Sequence, residues 1–249
     1  MGKNYLYVYG VIEESGLKYF DVTGVKNKKA YTINFQELAA VVSHMKEEEI
    51  DPTRKNLLAH TSVQEFLLQE YTFLPMSFGV IVSSIDRITK ILEDNYLSFK
   101  RELERLSEKI EVEIKVHWNK EAVKKELESN PKYKNLSNKI AEVSSALERQ
   151  SLLVETGQLV EDVVLRWQDE ISYDIYNNLK SLAVTACMNK SKEITNILDA
   201  SFLVEKNREN EFQDKLFTLD AKYQNKIDIK YIGPLPPYNF LQVELKGEQ

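Results

Sequence analysis

The side chains with catalytic or metal-binding chemistry are few and scattered in this sequence. The three histidines are His44, His60 and His117, and no two have the i, i+4 spacing that places paired imidazoles on one metal ion. His117 lies on the polar face of a predicted strand and His60 on a predicted helix among mixed neighbours. Both are expected to be solvated or hydrogen-bonded surface histidines, so the sequence predicts neither a metal site nor a histidine general base.

Nucleophile and cofactor motifs are also missing. Cys187 lies in the apolar run LAVTACM without the positive field that stabilises a thiolate, so a buried, inert residue is expected. A single cysteine forms no internal disulfide, which favours a reducing cytoplasm. The closest glycines, Gly10 and Gly16, are too far apart for a phosphate-binding loop, and the acidic run at 47–51 lacks the glycine of a calcium loop. No cofactor is predicted.

Nucleic acid and membrane are disfavoured as partners. Tyr5, Tyr7 and Tyr9 share one side of the first predicted strand, but base stacking needs basic neighbours, and only Lys3 is close. The net charge of -6 is small for 249 residues, and no run of 18 apolar residues occurs. The aromatic face is therefore expected to pack on a helix or on a protein partner.

The first half of the chain predicts several strands and two helices. Three strands are expected from β-branched, aromatic and continuous apolar runs: Tyr5–Ile12, Ala30–Asn34 and Leu38–Ser43. Apolar residues at helical spacing predict one helix after Thr53 that ends near Glu70. A second helix, capped by Ser84 or Asp86, is predicted to continue to Leu106.

The second half predicts the order β-α-β-β-α-β. In Ile110–Trp118, apolar residues alternate strictly with residues on a predicted solvent-facing side, of which Glu111 is the first. Asn119 is expected to cap a short helix, and a long helix is predicted from about Asn135 to Lys180 with a break at Gly157. The remaining elements are two strands, a helix capped by Asn207 and a last strand: Ser181–Met188, Ile194–Val204, the stretch through Tyr223, and Ile227–Tyr231.

These elements predict an α+β protein with two domains and a boundary near Ser107. Residues 1–107 form an N-terminal α+β domain, and residues 108–233 have the βαββαβ order of a ferredoxin-like domain. Three of the six prolines lie in the last sixteen residues, so residues 234–249 are treated as a separate Pro-rich tail.

Two apolar segments are not needed to close a minimal ferredoxin-like core. One runs from Leu74 to Gly79 and contains Pro75; the other runs from Gly233 to Phe240. Both place aromatic side chains on stiff backbone. Two interpretations stay open: Phe78 and Phe240 plug their own domains, or this preformed apolar surface receives a hydrophobic segment of another protein.

Four stretches together carry a family pattern: YLYVYGV, LPMSFGVIV, LDASFLVEKNRENEF and YIGPLPPYNFLQVEL. Through them the chain resembles the GvpF/GvpL family of gas vesicle accessory proteins along essentially its whole length. The last stretch is the most specific, because it resembles the family's glycine-proline-x-proline-proline-tyrosine signature. The chain departs from the pattern at Ser77, where the family usually has arginine, and at Leu235, where tryptophan is common.

The resemblance implies a non-enzymatic assembly protein without cofactors, found in the cytoplasm and at the gas vesicle. It implies a modified ferredoxin-like domain with extended helices, and binding to the hydrophobic shell protein GvpA and to other accessory proteins. Rigid apolar loops could shield such a subunit before incorporation, at little ordering cost. The expected contact residues lie in the two apolar segments: Leu74, Phe78, Leu235, Pro237, Tyr238 and Phe240.

Two rival functions make different predictions. A ferredoxin-like regulatory or small-ligand-binding protein would have a pocket lined by titratable groups with shifted pKa values. An RNA-binding protein of the same architecture would bind polyanions in a salt-sensitive manner, which the charge count disfavours. A convex apolar patch would favour the assembly role.

Overall fold

The computed structural model describes residues 5–189, 196–223 and 226–243. The described residues divide into two compact units. Unit 1 contains residues 5–111 and also residues 234–243, and unit 2 contains the described part of 112–233. Each unit combines a sheet with helices, which confirms the predicted α+β class.

Unit 1 is built on a six-stranded sheet with the strand order β2-β3-β4-β1-β5, in which β6 also pairs with β1. Its elements are β1 (Tyr5–Glu13), β2 (Tyr19–Thr23), β3 (Lys29–Phe35), β4 (Leu38–Met45), α1 (Arg54–Glu70), β5 (Phe73–Pro75), β6 (Ile81–Val82), α2 (Ile85–Asp94) and α3 (Tyr96–Leu106). Because β1 has paired neighbours on both sides, it is buried along its length except at Glu13.

A bulge in β1 decides which side chains face α1. The β1–β4 register shifts between Val8 and Gly10, and such an extra residue inverts the alternation of side chains. Tyr9 and Ile12 can therefore share the core cluster that also contains Tyr5 and Tyr7. Gly10 is required at this point, because a Cβ there would lie 2.6 Å from the Leu74 carbonyl oxygen.

The core cluster joins the tyrosines of β1 to Val63 and Leu67 of α1. Of the two alternatives predicted for the aromatic face, a helix or a protein partner, the structure shows packing on a helix. Helices α2 and α3 contact the strands as well, α2 against β3 and β4 and α3 against β1 and β5.

Two features of unit 1 differ from the sequence prediction. Strand β2 was not predicted. The helix expected to run unbroken to Leu106 is two helices, which meet at Asn95 (φ −114°, ψ 11°). Asn95 is buried, and its side-chain amide donates to the Ile91 carbonyl at 2.9 Å, which ends α2 without glycine or proline. The predicted Ser84 cap is present and accepts from the Arg87 amide.

Unit 2 contains a four-stranded sheet with the order β10-β7-β9-β8. Its elements are β7 (Lys109–Trp118) from Val112 onward, α4 (Lys120–Ser129), α5 (Pro131–Glu142), α6 (Ala146–Lys180), β8 (Thr185–Met188), β9 (Asn196–Glu205), α7 (Glu209–Lys222) and β10 (Ile227–Leu235) as far as Gly233. Helices α4 to α6 together occupy the first helical position of the predicted βαββαβ order, and α7 occupies the second. Helix α6 packs against α5, α7 and β9.

Two helix boundaries in unit 2 were wrongly predicted. The long helical stretch breaks at residues 143–145, where Ser145 caps α6, and it passes through Gly157 without interruption. An interior glycine costs a helix only about 1 kcal/mol, which favourable neighbours can offset. Asn207 is not a cap, because it lies inside a 3-10 turn and α7 begins after Arg208. The predicted start of the strand at Ile194 lies outside the described residues.

Candidate functional site

The two apolar segments singled out in the sequence converge in unit 1. The second segment, with the residues that follow it, forms a tail that we define as Pro236–Val243. It lies on unit 1, and the Tyr238 hydroxyl is 2.9 Å from the Met76 carbonyl oxygen in the first segment. A functional surface formed by these two segments therefore includes the docked tail.

Helix α1 provides the polar half of the docking site. His60 and Gln64 are one turn apart on α1 and both are buried, 5% and 3% exposed. The Gln64 amide nitrogen donates to the carbonyl oxygens of Tyr9 and Met76, each at 2.9 Å. Because the nitrogen faces two carbonyls, the amide oxygen faces the tail, and it accepts from the Tyr238 hydroxyl at 2.6 Å.

The tautomer of His60 follows from its partners. The Tyr7 hydroxyl accepts from the Gly79 amide at 3.1 Å and lies 2.8 Å from His60 Nδ1, so it donates its own proton to that nitrogen. The ring proton of His60 therefore resides on Nε2, 3.4 Å from the Tyr238 hydroxyl oxygen. Both ring nitrogens are occupied, and burial lowers the pKa of His60 to about 4.

His60 is thus a buried structural histidine and not the surface residue predicted from the sequence. The same loss of solvation raises the pKa values of Tyr7, Tyr9 and Tyr238. All four groups are neutral at neutral pH. Such a neutral, fully hydrogen-bonded cluster fixes geometry, and it does not supply the free base or metal ligand that catalysis requires.

Two buried carboxylates hold the end of the tail. Glu111 accepts two bonds from Asn239, from the backbone amide at 2.9 Å and from the side-chain amide at 2.5 Å. Glu111 is 2% exposed, so its predicted place on a wet strand face is wrong. Glu102 accepts from the Gln242 amide at 2.7 Å and pairs with Arg105, which also donates to the Phe240 carbonyl.

The charge state of Glu102 is set by these partners. Burial alone would raise the pKa of its carboxyl, but the bonds from Arg105 and from the Gln242 amide outweigh burial and lower that pKa. Glu102 is therefore ionised at neutral pH, and charge-assisted bonds of this type are about twice as strong as neutral ones. The bonds to Glu102 and Glu111 therefore fix the tail in one position on unit 1, which distinguishes it from a loosely associated segment.

The six predicted contact residues fall into two groups. Leu74, Pro237 and Phe240 are buried, so Phe240 plugs its own unit, as one of the two interpretations expected. Phe78 and Leu235 are half-buried and Tyr238 is 38% exposed. The Phe78 ring packs on Tyr7 and on His60, with centroid distances of 6.0 and 5.7 Å.

The anchoring residues themselves were missed by the sequence reasoning. His60 and Gln64 are polar residues at i, i+4 on the apolar side of α1, which is the one local signal that could have marked them. Glu102 and Glu111 carried no such signal, because their partners lie 140 and 128 residues away in the chain.

A charged cleft in unit 1 holds a paired lysine. An open cleft of about 670 Å³ in unit 1 is lined by several charged residues, among them Glu13 and Lys100. The Lys100 ammonium binds Glu13 at 2.8 Å and Glu37 at 2.9 Å, and these carboxylates raise its pKa, away from that of a general base.

Cys187 is half-buried on β8, so the prediction of a core position is only partly correct.

In residues 5–189, 196–223 and 226–243, no three His, Cys, Asp or Glu side chains are grouped so that they could hold a metal ion. Over those same ranges, no helix is both long and apolar enough to cross a membrane.

Comparisons with known proteins cover nearly the whole chain. A family model described as "Gas vesicle synthesis protein GvpL/GvpF" matches residues 5–242. The chain is 26% identical over 242 residues to gas vesicle protein F of Microcystis aeruginosa, covering 96% of this chain and 98% of that protein. It is 25% identical over 248 residues to gas vesicle protein F1 of Halobacterium salinarum, covering 98% and 96%.

Solved structures agree in fold. The crystal structure of gas vesicle protein GvpF from Anabaena superposes with a TM-score of 0.77 at 21% identity, covering 99% of both chains. That of GvpF from Microcystis aeruginosa superposes with a TM-score of 0.73 at 24% identity, covering 96% of this chain and 99% of the other.

Proposed function

Because this chain belongs to the GvpL/GvpF family of gas vesicle synthesis proteins, we propose that it binds the hydrophobic shell protein GvpA and supports vesicle nucleation and assembly. Membership of this family supports a function in gas vesicle formation. GvpA binding and nucleation are the proposed refinement.

The physical need for such a protein is clear. A shell subunit that builds a gas-facing wall exposes apolar surface and strand edges before it is incorporated, and free surfaces of this kind aggregate. A carrier that covers the subunit reversibly needs apolar contact area on a rigid support and no bond-making chemistry. The engaged ring nitrogens of His60 and the paired charges of Lys100 are compatible with that role.

Tail docking is the observation that best supports the proposal. The docked tail holds Tyr238 on a support fixed by Gln64, Glu102 and Glu111, and Leu235 is the last residue of β10, directly before the tail. Together with Phe78 they are the three predicted contact residues that keep solvent-accessible surface, and we call them the accessible trio. Their ordering entropy is spent on folding, so a GvpA segment binds them without ordering the tail again.

The buried residues of the predicted set then have a supporting role. Phe240, 6% exposed, and Pro237 are buried and fix the tail that carries Tyr238, and Leu74 is buried in β5, the strand that precedes Phe78. In this arrangement GvpA contacts the trio while the tail stays docked.

Co-purification of GvpA with affinity-tagged chain tests the proposal. Replacing the trio (Phe78→Ser, Leu235→Ser and Tyr238→Ser together) should lower the GvpA captured per chain by at least about fivefold, or about 1 kcal/mol. The matched control changes two exposed leucines elsewhere on unit 1, Leu17→Ser and Leu97→Ser, which are 64% and 74% exposed, and should capture GvpA as the wild type does.

A truncation after Gly233 separates the tail from the rest. If it stays folded by far-UV circular dichroism and captures GvpA unchanged, the tail is rejected as a contact site. If neither the wild type nor any variant captures GvpA, the proposed function itself is rejected.

A further inference from the structure

A small pocket in unit 2 lies between helix α7 and strand β10. Its volume is about 210 Å³, and its walls are Gln213, Leu216, Phe217 and Asp220 of α7 with Ile229 and Tyr231 of β10. Pockets for whole small-molecule ligands usually measure about 300 to 1,000 Å³. The space therefore suits a single side chain of a partner better than a cofactor.

The periodicity of the two elements builds these walls. At about 100° per residue the four α7 residues fall within about 100° of arc, and the two β10 residues, two apart, share one face of the strand. Leu216 is buried and Ile229 is half-buried, so part of the lining is aliphatic. Phe217 is 70% exposed and is an aromatic wall open to solvent.

Hydrogen bonds fix the second aromatic wall, Tyr231. Glu209 Oε1 accepts from the Tyr231 hydroxyl at 2.8 Å and from the side-chain nitrogen of Gln213 at 3.3 Å. Burial raises the pKa of Tyr231 to about 12, so its hydroxyl stays protonated and donates to Glu209. Because the nitrogen of Gln213 faces Glu209, the amide oxygen is the group that Gln213 offers to a ligand, and it is an acceptor.

Asp220 gives the pocket a negative charge. It is exposed and forms no ion pair with any residue in the described part of the chain. None of the described residues that line the pocket is basic, and the nearby Lys222 pairs with Asp174 at 2.7 Å. A pocket with two aromatic walls and an unpaired carboxylate is complementary to a cation.

The sheet edge beside the pocket points to an extended occupant. Strand β10 is the end strand in the order β10-β7-β9-β8, so on one side it pairs with no other strand within the described ranges. Such an edge presents backbone N–H and C=O groups to which an extended segment can add as a further strand. Every described residue that lines the pocket belongs to α7 or β10, so a strand added to β10 would carry side chains towards this pocket.

We propose that the pocket takes an arginine side chain from an extended segment of a partner protein, and that this segment pairs with the edge of β10. A guanidinium group is planar and weakly hydrated, so it can stack on Phe217 and Tyr231 while it donates to Asp220. The more strongly hydrated ammonium of lysine suits such a lining less well. The proposal goes beyond shell-protein binding by the accessible trio, because it concerns unit 2 and a partner recognised by charge.

Extended peptides of nine residues, the length of β10, test the proposal on the full chain. They alternate Thr and Val and have Arg, Lys or citrulline at the centre; citrulline has the shape of arginine without its charge. Fluorescence anisotropy should show the Arg peptide binding at least about tenfold more tightly than the citrulline peptide and about threefold more tightly than the Lys peptide. Its affinity should fall severalfold as salt rises from about 50 mM to about 500 mM.

Variants of the walls separate recognition from general attraction. Asp220→Asn removes the charge and keeps the shape, so it should weaken the Arg peptide at least about fivefold and leave the citrulline peptide unchanged. Asp214→Asn makes the same change at an exposed position about 120° around α7 and should bind as the wild type does. Phe217→Ala should weaken the Arg peptide about threefold, whereas Tyr173→Ala, at a 73% exposed aromatic residue of α6, should not.

Backbone methylation tests the strand pairing separately. An added strand bonds β10 through only one of its two edges. N-methyl groups on alternate residues along that edge should abolish binding of the Arg peptide, and N-methyl groups along the other edge should leave it unchanged. Equal effects of the two methylation patterns would overturn the pairing with β10.

Other outcomes would overturn the pocket itself. These are equal affinity for the Arg and citrulline peptides, no binding of either, or a loss of the Arg preference in Asp214→Asn as large as in Asp220→Asn. If N-acetylarginine amide binds as tightly as the peptide, the occupant is a free small molecule; if sedimentation shows a dimer that Asp220→Asn dissolves, it is a second copy. GvpA takes no part in these measurements, so their outcome is independent of the proposed function.

Discussion

Acidification should loosen unit 1 through His60. The pKa of this imidazole is about 4 in the folded chain against 6.5 when free of the protein, because burial disfavours the charged ring. A depressed pKa means that the unfolded chain binds the proton more tightly. His60 therefore contributes its full stability above about pH 6.5, and the contribution is lost as pH falls towards 4.

The size of the effect follows from the two pKa values. Between pH 7 and pH 5 the shift predicts a loss of about 2 kcal/mol in the free energy of unfolding. The side chain is 5% exposed, so solvent screening reduces this figure little.

Urea unfolding at the two pH values measures the loss. Both tryptophans, Trp118 and Trp167, belong to unit 2, so tryptophan fluorescence reports the unfolding of unit 2. Far-UV circular dichroism reports both units, and the part of its transition that the fluorescence does not follow reports unit 1. Carboxylates also titrate in this range, so the quantity to compare is the pH-dependent loss in the wild type minus that in His60→Gln. We expect a difference of about 2 kcal/mol. His44→Gln, at an exposed histidine, is the control and should lose as much stability as the wild type. Equal losses in the wild type and in His60→Gln would refute the reasoning.

Three further predictions concern the supports of the candidate site. Phe240→Ala should cost about 3 kcal/mol in urea unfolding of unit 1, since it empties a buried site; an unchanged midpoint would mean that the tail is not docked. Glu111→Gln should cost about 1 to 2 kcal/mol by weakening both bonds to Asn239, whereas Glu113→Gln on the same strand should cost under about 0.5 kcal/mol; equal costs would contradict the anchoring role. Gly10→Ala should cost about 1 to 3 kcal/mol in thermal melts because its Cβ would meet the Leu74 carbonyl, and Gly16→Ala, in an open position, should be close to neutral; a neutral Gly10→Ala would disprove the close approach of β1 and β5.

Elements dictated by local periodicity could be predicted from the sequence. The alternation over Ile110–Trp118 predicts β7 almost to the residue, and the apolar spacing after Thr53 predicts α1. These patterns suffice because each residue's environment is set by its near neighbours in the chain.

Features decided by distant contacts were not predictable in the same way. The break at Asn95 depends on burial of a polar side chain that bonds its own helix, and no glycine or proline marks it. Glu111 matches the polar phase of β7 but is buried because Asn239, 128 residues later, covers it. Whether Phe240 faces solvent or its own unit was likewise open until the tail could be placed.

Aggregation of GvpA on dilution from denaturant tests the central claim most directly. GvpA diluted into buffer should scatter light as it aggregates. With an equimolar amount of this chain, scattering should be suppressed, and GvpA should elute together with the chain in size-exclusion chromatography. Unchanged scattering, with the chain eluting alone, would contradict the claim that it binds the shell protein.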